Sequence, residues 1–149
     1  MPTRRNKPVL LVILQNAWRA NGERYSHKQW LEALWNSHTG RRLRNILPET
    51  PHTLYVANAS PEIGKESSSM FPADIGYIKR QIARVSPDVI VACGQVASNA
   101  ITEIAPDAIC ITAPHPAWRA YSKEREMQVQ AQVESFVSSA YKRMNGNAR

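Results

Sequence analysis

At 149 residues and 43% apolar, the chain is long enough for one domain burying roughly 68–70% of its unfolded surface, which excludes a wholly disordered protein. Its 19 lysines and arginines against 12 aspartates and glutamates leave a net charge of +7, which favours an acidic partner, nucleic acid before anionic membrane. No stretch reaches the ~20 apolar residues that span a bilayer. Cys93 and Cys110 stand at apolar strand-like positions, so they read as buried free thiols of a reducing compartment and offer no set of metal ligands.

In chain order, the basic start Arg4-Arg5-Asn6-Lys7 and the apolar run behind it look superficially like a signal peptide. The run is too short, and Gln15-Asn16 stands where a small-residue cleavage site belongs. Pro8–Leu14 is instead predicted as a buried strand, ending in the loop Gln15-Asn16-Ala17-Trp18-Arg19. Ser26 and Gln29 form a capping box for a helix whose stripe is Trp30, Leu31, Leu34 and Trp35. Thr39 can cap a second short helix with Leu43, Ile46 and Leu47 on one side and Arg41, Arg42 and Arg44 toward solvent.

A shorter strand, Thr53–Ala57, includes Tyr55, and Ser60–Phe71, with Gly64 and three consecutive serines, is the best candidate for a mobile loop. Pro72 suits the first turn of a helix carrying Ile75, Ile78, Ile82 and Val85. Pro87–Cys93 is a third strand, and Gly94 opens a helix through Val96, Ala97, Ala100 and Ile101. Ala108–Thr112 is the fourth strand, followed by His115-Pro116-Ala117-Trp118-Arg119. Ser122 caps the last helix, with Met127, Val129, Val133, Phe136, Val137 and Tyr141 inward, and the tail after Met144 frays. Strands alternating with helices predict an α/β fold: residues 1–149 as a single three-layer α/β/α sandwich around a central, mainly parallel four-stranded sheet.

In such a sheet ligands sit beyond the carboxyl ends of the strands, so the Gln15–Arg19 and His115–Arg119 loops can share one cleft. An amide, an imidazole, two indoles and two guanidinium groups would converge there, a set suited to a flat heterocycle on a polyanion. Taken singly, each residue has an ordinary alternative. His115 can be a plain loop residue, Asn58 a turn residue bonding its own backbone, Trp30, Leu34 and Trp35 core, and Arg41-Arg42 a solvated helix face.

Their order along the chain, however, resembles the uracil-DNA glycosylase superfamily from the first strand to the last helix. Leu14-Gln15-Asn16-Ala17-Trp18-Arg19 is similar to the family's first motif, Gly-Gln-Asp-Pro-Tyr-His in one branch and Gly-Ile-Asn-Pro-Gly in another. Leu14 and Ala17 stand where the family has Gly and Pro. Trp35 falls at the base-stacking aromatic, and Thr39–Leu47 is similar to the helix after it. Leu54–Asn58 resembles the strand ending in the base-reading asparagine, Pro87–Ala97 the strand-Gly-x-x-Ala helix start, and His115-Pro116 the final His-Pro motif.

The resemblance implies a monofunctional DNA glycosylase removing uracil or a 5-substituted uracil after base flipping. Its catalytic residues would be Asn16, positioning water, and His115, donating to the departing base. Gln15, Trp18, Trp35 and Asn58 would hold the base. Arg41, Arg42, Gly94, Gln95, Trp118 and Arg119 would contact DNA, Trp118 or Arg119 as the wedge, with Lys123 and Arg125 adding to the phosphate grip. No metal or other cofactor, no membrane and a monomer acting inside the cell with the DNA, cellular or viral, are expected. A different class is also compatible: a catalytically weak or silent homologue that binds DNA, reading a modified base or blocking another enzyme. An enzyme of free nucleosides is a third option, disfavoured by the +7 charge.

Overall fold

Six consecutive buried residues, Val9–Leu14, form β1, the strand around which the chain is organised. They are apolar without alternation because β1 is paired on both edges and covered on both faces. The computed structural model describes residues 5–18, 26–66 and 68–146, with Trp18 through its backbone alone. β2 (Ala17–Trp18), β3 (Thr53–Asn58), β4 (Ile63–Gly64), β5 (Val89–Cys93) and β6 (Ile109–Ala113) complete the strands. The helices are α1 (His27–Trp35), α2 (His38–Arg44), α3 (Ile75–Val85), α4 (Gln95–Ile104) and α5 (Lys123–Met144).

The main sheet has the order β3-β1-β5-β6, and every pairing in it is parallel. Leu10, Val12 and Leu14 of β1, with Val89, Val91 and Cys93 of β5, face a core closed by Leu34 of α1, Leu43 of α2 and Val129, Val133 and Val137 of α5. Val9, Leu11 and Ile13, with Ile90 and Ala92, face a second core closed by Ile78 and Val85 of α3 and Ala97, Ala100 and Ile101 of α4. The three-layer α/β/α sandwich is therefore present, its period-two side chains divided between two helical layers. Chain order reverses between β1 and β5, and the crevice outside their carboxyl ends is where such a sheet binds ligands.

Several local expectations are corrected. Ser37, not Thr39, caps α2, its hydroxyl accepting from the Gly40 N–H at 3.1 Å. The earlier start puts Gly40 inside the helix, where a Cβ would lie 2.0 Å from the Leu34 carbonyl oxygen, a close approach only glycine allows. α3 is capped by Asp74, two residues after Pro72. Ser60–Phe71 is not loop throughout, since β4 within it pairs in parallel with β2. In α5 the inward stripe includes Glu126, while Met127 is 66% and Phe136 37% exposed. Cys110 is exposed because β6 is an edge strand, whereas Cys93 is buried. The capping box of α1 is as expected, with reciprocal bonds between Ser26 and Gln29.

Candidate functional site

Leu14 stands opposite Asn58, Ile13 opposite Ala92, and Cys93 opposite Ala113, so all four strands end level. With strands about 4.8 Å apart, Asn58, Gln15, Gly94 and the Pro114-His115 turn share one rim of about 15 Å.

On the β1 side, the backbone is tied sideways. The Ala59 N–H donates to the Leu14 carbonyl at 2.8 Å and the Ser60 N–H to the Gln15 carbonyl at 3.1 Å. The Asn16 amide nitrogen donates to the carbonyls of Ala17 at 3.0 Å and Ser69 at 3.2 Å, joining this loop to the segment that carries β4. A Cβ on Gly64 would stand 2.3 Å from that of Ser69, so the segment closes up only because residue 64 is glycine. At the ends of β1 and β3, the Gln15 Nε2 and the Asn58 Oδ1 are buried with no hydrogen-bond partner among the described residues. One is a donor and the other an acceptor, each costly to keep out of water unless something bonds it.

On the other side, Gly94 ends β5 with φ 89° and ψ 169°, a conformation essentially confined to glycine. Its N–H donates to the Ala113 carbonyl at 2.8 Å. A Cβ there would lie 3.2 Å from the Cβ of His115, so the imidazole rests on the bare backbone. Burial pushes the His115 pKa below its ordinary 6.5, which keeps the ring neutral at pH 7. The Ala117 N–H donates to its Nδ1 at 3.1 Å, leaving Nε2 as the protonated, donating nitrogen. Beyond it, the Trp118 N–H donates to the His115 carbonyl at 2.9 Å and the Tyr121 N–H to the Trp118 carbonyl at 3.2 Å. Trp118 is 52% exposed, and Arg119 is exposed.

Gly94 and Gln95 line a polar groove of about 420 Å³ that also takes in Asn99, Thr112 and Arg125. A second cavity of about 560 Å³ is bordered by Ser60, Glu62, Phe71 and Asp74. Its two carboxylates make it a poor receptor for a polyanion.

The remaining expected site residues are placed unequally. Arg41 is exposed on α2. Arg42 is turned inward: its Nε donates to Glu126 at 2.7 Å and its Nη2 to the Tyr121 carbonyl at 2.6 Å, so it does not project to solvent as expected. Trp35 packs half-buried against the core, with the Arg44 guanidinium 5.0 Å from its ring centre. The Trp18 side chain and Arg19 lie outside the described residues. The pattern missed Ser69, Tyr121 and Glu126. A charged residue in register with Val129 and Val133 was the one signal for Glu126, and hydropathy reads it as outward.

Among the described residues no cluster of histidine, cysteine and carboxylates could hold a metal ion, and no helix is long and apolar enough to cross a membrane. The family model described as the uracil DNA glycosylase superfamily matches residues 15–138, from Gln15 on the first wall to the last third of α5. No curated protein matches the chain.

Proposed function

The chain belongs to the uracil-DNA glycosylase superfamily, which supports a DNA-glycosylase type of function, and we propose that it is a monofunctional enzyme releasing uracil or a 5-substituted uracil from DNA. The observation that carries this reading is His115, a neutral imidazole with Nε2–H as its donor, set on the bare backbone of Gly94. Breaking an N-glycosidic bond leaves positive charge on the sugar and negative charge on the pyrimidine. A neutral donor aimed at the base oxygen stabilises that anion, and one donor of this class contributes roughly 2.7–4 kcal/mol.

Asn58, with its orphaned Oδ1, would pair with one edge of the base, and the buried Gln15 amide would donate beside it. The Asn16 nitrogen is spent on two backbone carbonyls, which orients its Oδ1 as the acceptor for a water. The oxygen of that water would bond to the anomeric carbon as the C–N bond breaks and its electron pair leaves with the base, the water's proton passing through solvent to the base anion. No lysine stands in either loop to form a covalent intermediate. In the same reading Trp35, whose ring the Arg44 guanidinium approaches, would stack on the extruded base, Trp18 would belong to the set that holds the base, and Trp118 or Arg119 would fill the gap left in the duplex. Arg41, Lys123 and Arg125, with the groove at Gly94 and Gln95, would hold phosphates. The enzyme would work as a monomer inside the cell, wherever its DNA is, without a cofactor.

One observation favours a second reading, a silent homologue that only binds DNA. Asn16 stands where a carboxylate would activate water, and half of its amide is committed to structure. Oligonucleotides carrying uracil, a thymine mismatch or 5-hydroxymethyluracil, incubated with the protein and cleaved in alkali, separate the two. Strand scission that His115→Ala and Asn58→Ala each sharply reduce is the expected result. Salt-sensitive binding with no scission from any of the three, indifferent to His115→Ala, supports the silent homologue instead.

A further inference from the structure

Arg42 belongs to a bonded chain that ends at the imidazole. Its guanidinium forks: Nε meets Glu126 Oε2 at 2.7 Å, and Nη2 meets the Tyr121 carbonyl at 2.6 Å. The same guanidinium lies 5.0 Å from the centre of the Tyr121 ring. The other oxygen of Glu126 accepts from the Asn45 amide at 3.2 Å, so α2, its following turn and the start of α5 converge on one carboxylate. From Tyr121 the chain runs back through the carbonyls of Trp118 and His115, and the Ala117 N–H between them holds Nδ1. Glu126 and Tyr121 are both buried, only 5% exposed. Residues 115–121 thus have two supports, Gly94 beneath the imidazole and Arg42 at the far end.

We propose that Arg42 is a positioning residue for His115, tying the Tyr121 end of the imidazole-bearing loop to α2 and α5 through a bidentate contact. The proposal rests on the glycosylase reading for its consequence, but its geometry stands apart from it. A planar guanidinium can meet a carboxylate and a carbonyl at once with fixed angles, whereas a lysine ammonium reaches one of them as a point charge. Removing the fork while keeping the charge therefore isolates position from electrostatics. The alternatives are a residue that only stabilises the fold and one that grips a phosphate.

The test is Arg42→Lys, followed by NMR titration of His115, thermal melting and steady-state base release. A positioning residue predicts that the loop loosens and hydrates, so the His115 midpoint rises from its lowered position toward 6.5. It also predicts that kcat falls about tenfold or more with KM nearly unchanged, because the donor is displaced rather than the DNA released. Glu126→Gln keeps the shape and removes the charge that anchors the fork, so it must move the same midpoint in the same direction, less far. A lowered melting temperature with the midpoint unmoved in both variants overturns the proposal in favour of a purely structural tie. A raised KM with a shallower salt dependence and an unmoved midpoint overturns it in favour of a phosphate contact. If the unmodified protein releases no base from any oligonucleotide, the glycosylase reading fails, while the His115 titration still decides the role of Arg42.

Discussion

Gly94 forms the floor under His115: a Cβ at residue 94 would stand 3.2 Å from the histidine Cβ and 3.7 Å from its Cδ2. The contact joins the ends of β5 and β6, so the sheet itself sets the height of the imidazole. Gly94→Ala should act twice. An L-residue held at φ 89° costs roughly 1–3 kcal/mol, and the added methyl lifts the ring from its place. Thermal melting should show a loss of several degrees, and base release should fall by more than the stability loss explains. An alanine variant with unchanged melting and full activity would mean that the histidine has room to spare.

His115 also makes stability depend on pH, in a direction set by burial. Its folded pKa lies below the unfolded value of 6.5, so the unfolded chain binds more protons between those two values. Stability is therefore fully present above 6.5 and is lost as the pH falls through the folded pKa. His27 adds a contribution of the same sign, from burial and then the Arg84 charge. Urea unfolding from about pH 8 to about pH 5 should show this loss, and His115→Gln, which cannot titrate, should flatten part of it. Base release by the unmodified protein should follow the same acid limb, since only the neutral imidazole carries the proposed donor with an acceptor still at Nδ1. A profile that rises toward acid would exclude the neutral donor.

The two thiols should separate cleanly. Cys93 is inside β5, where burial pushes its pKa to about 12, while Cys110 lies exposed on the edge strand β6. A disulfide reagent should titrate a single thiol in the folded protein, and Cys110→Ser should remove that reaction. Denaturant should then reveal the second thiol. Two reactive thiols without denaturant would mean that the core next to the rim opens readily.

The outline of the fold was legible because parallel strands buried on both faces leave continuous apolar runs such as Val9–Leu14 and Val89–Cys93. Their edges were less legible. Cys110 reads like Cys93 in sequence, and only the sheet order places it on the outside. The His115 and Asn58 positions could be marked from the ends of strands, since a strand's last residue defines the rim. The inward turn of Arg42 could not, because helical spacing assigns a charged residue to solvent. Its partners Tyr121 and Glu126 lie about eighty residues away on another layer. The segment carrying β4 was hidden for a different reason: a two-residue strand has too little pattern to distinguish it from loop.

Under the proposed reaction, Trp118 would bear on how the base is reached. Trp118, three residues beyond His115, is half exposed, its backbone N–H closes a turn onto the His115 carbonyl, and its ring is tilted against Tyr121 with centres 6.5 Å apart. A large apolar group so placed, with one side packed and the other in solvent, is suited to enter a duplex where a base has left. Extruding a base from a duplex costs a few kcal/mol, whereas a single strand pays little of that. Trp118→Ala should therefore reduce kcat/KM on duplex substrate about tenfold or more while changing the single-stranded reaction much less. Comparing the two substrates within one variant cancels losses of folded protein, which lower both rates alike. Equal losses on both would show that Trp118 serves the His115 loop, and the wedge would then have to be sought at Arg119.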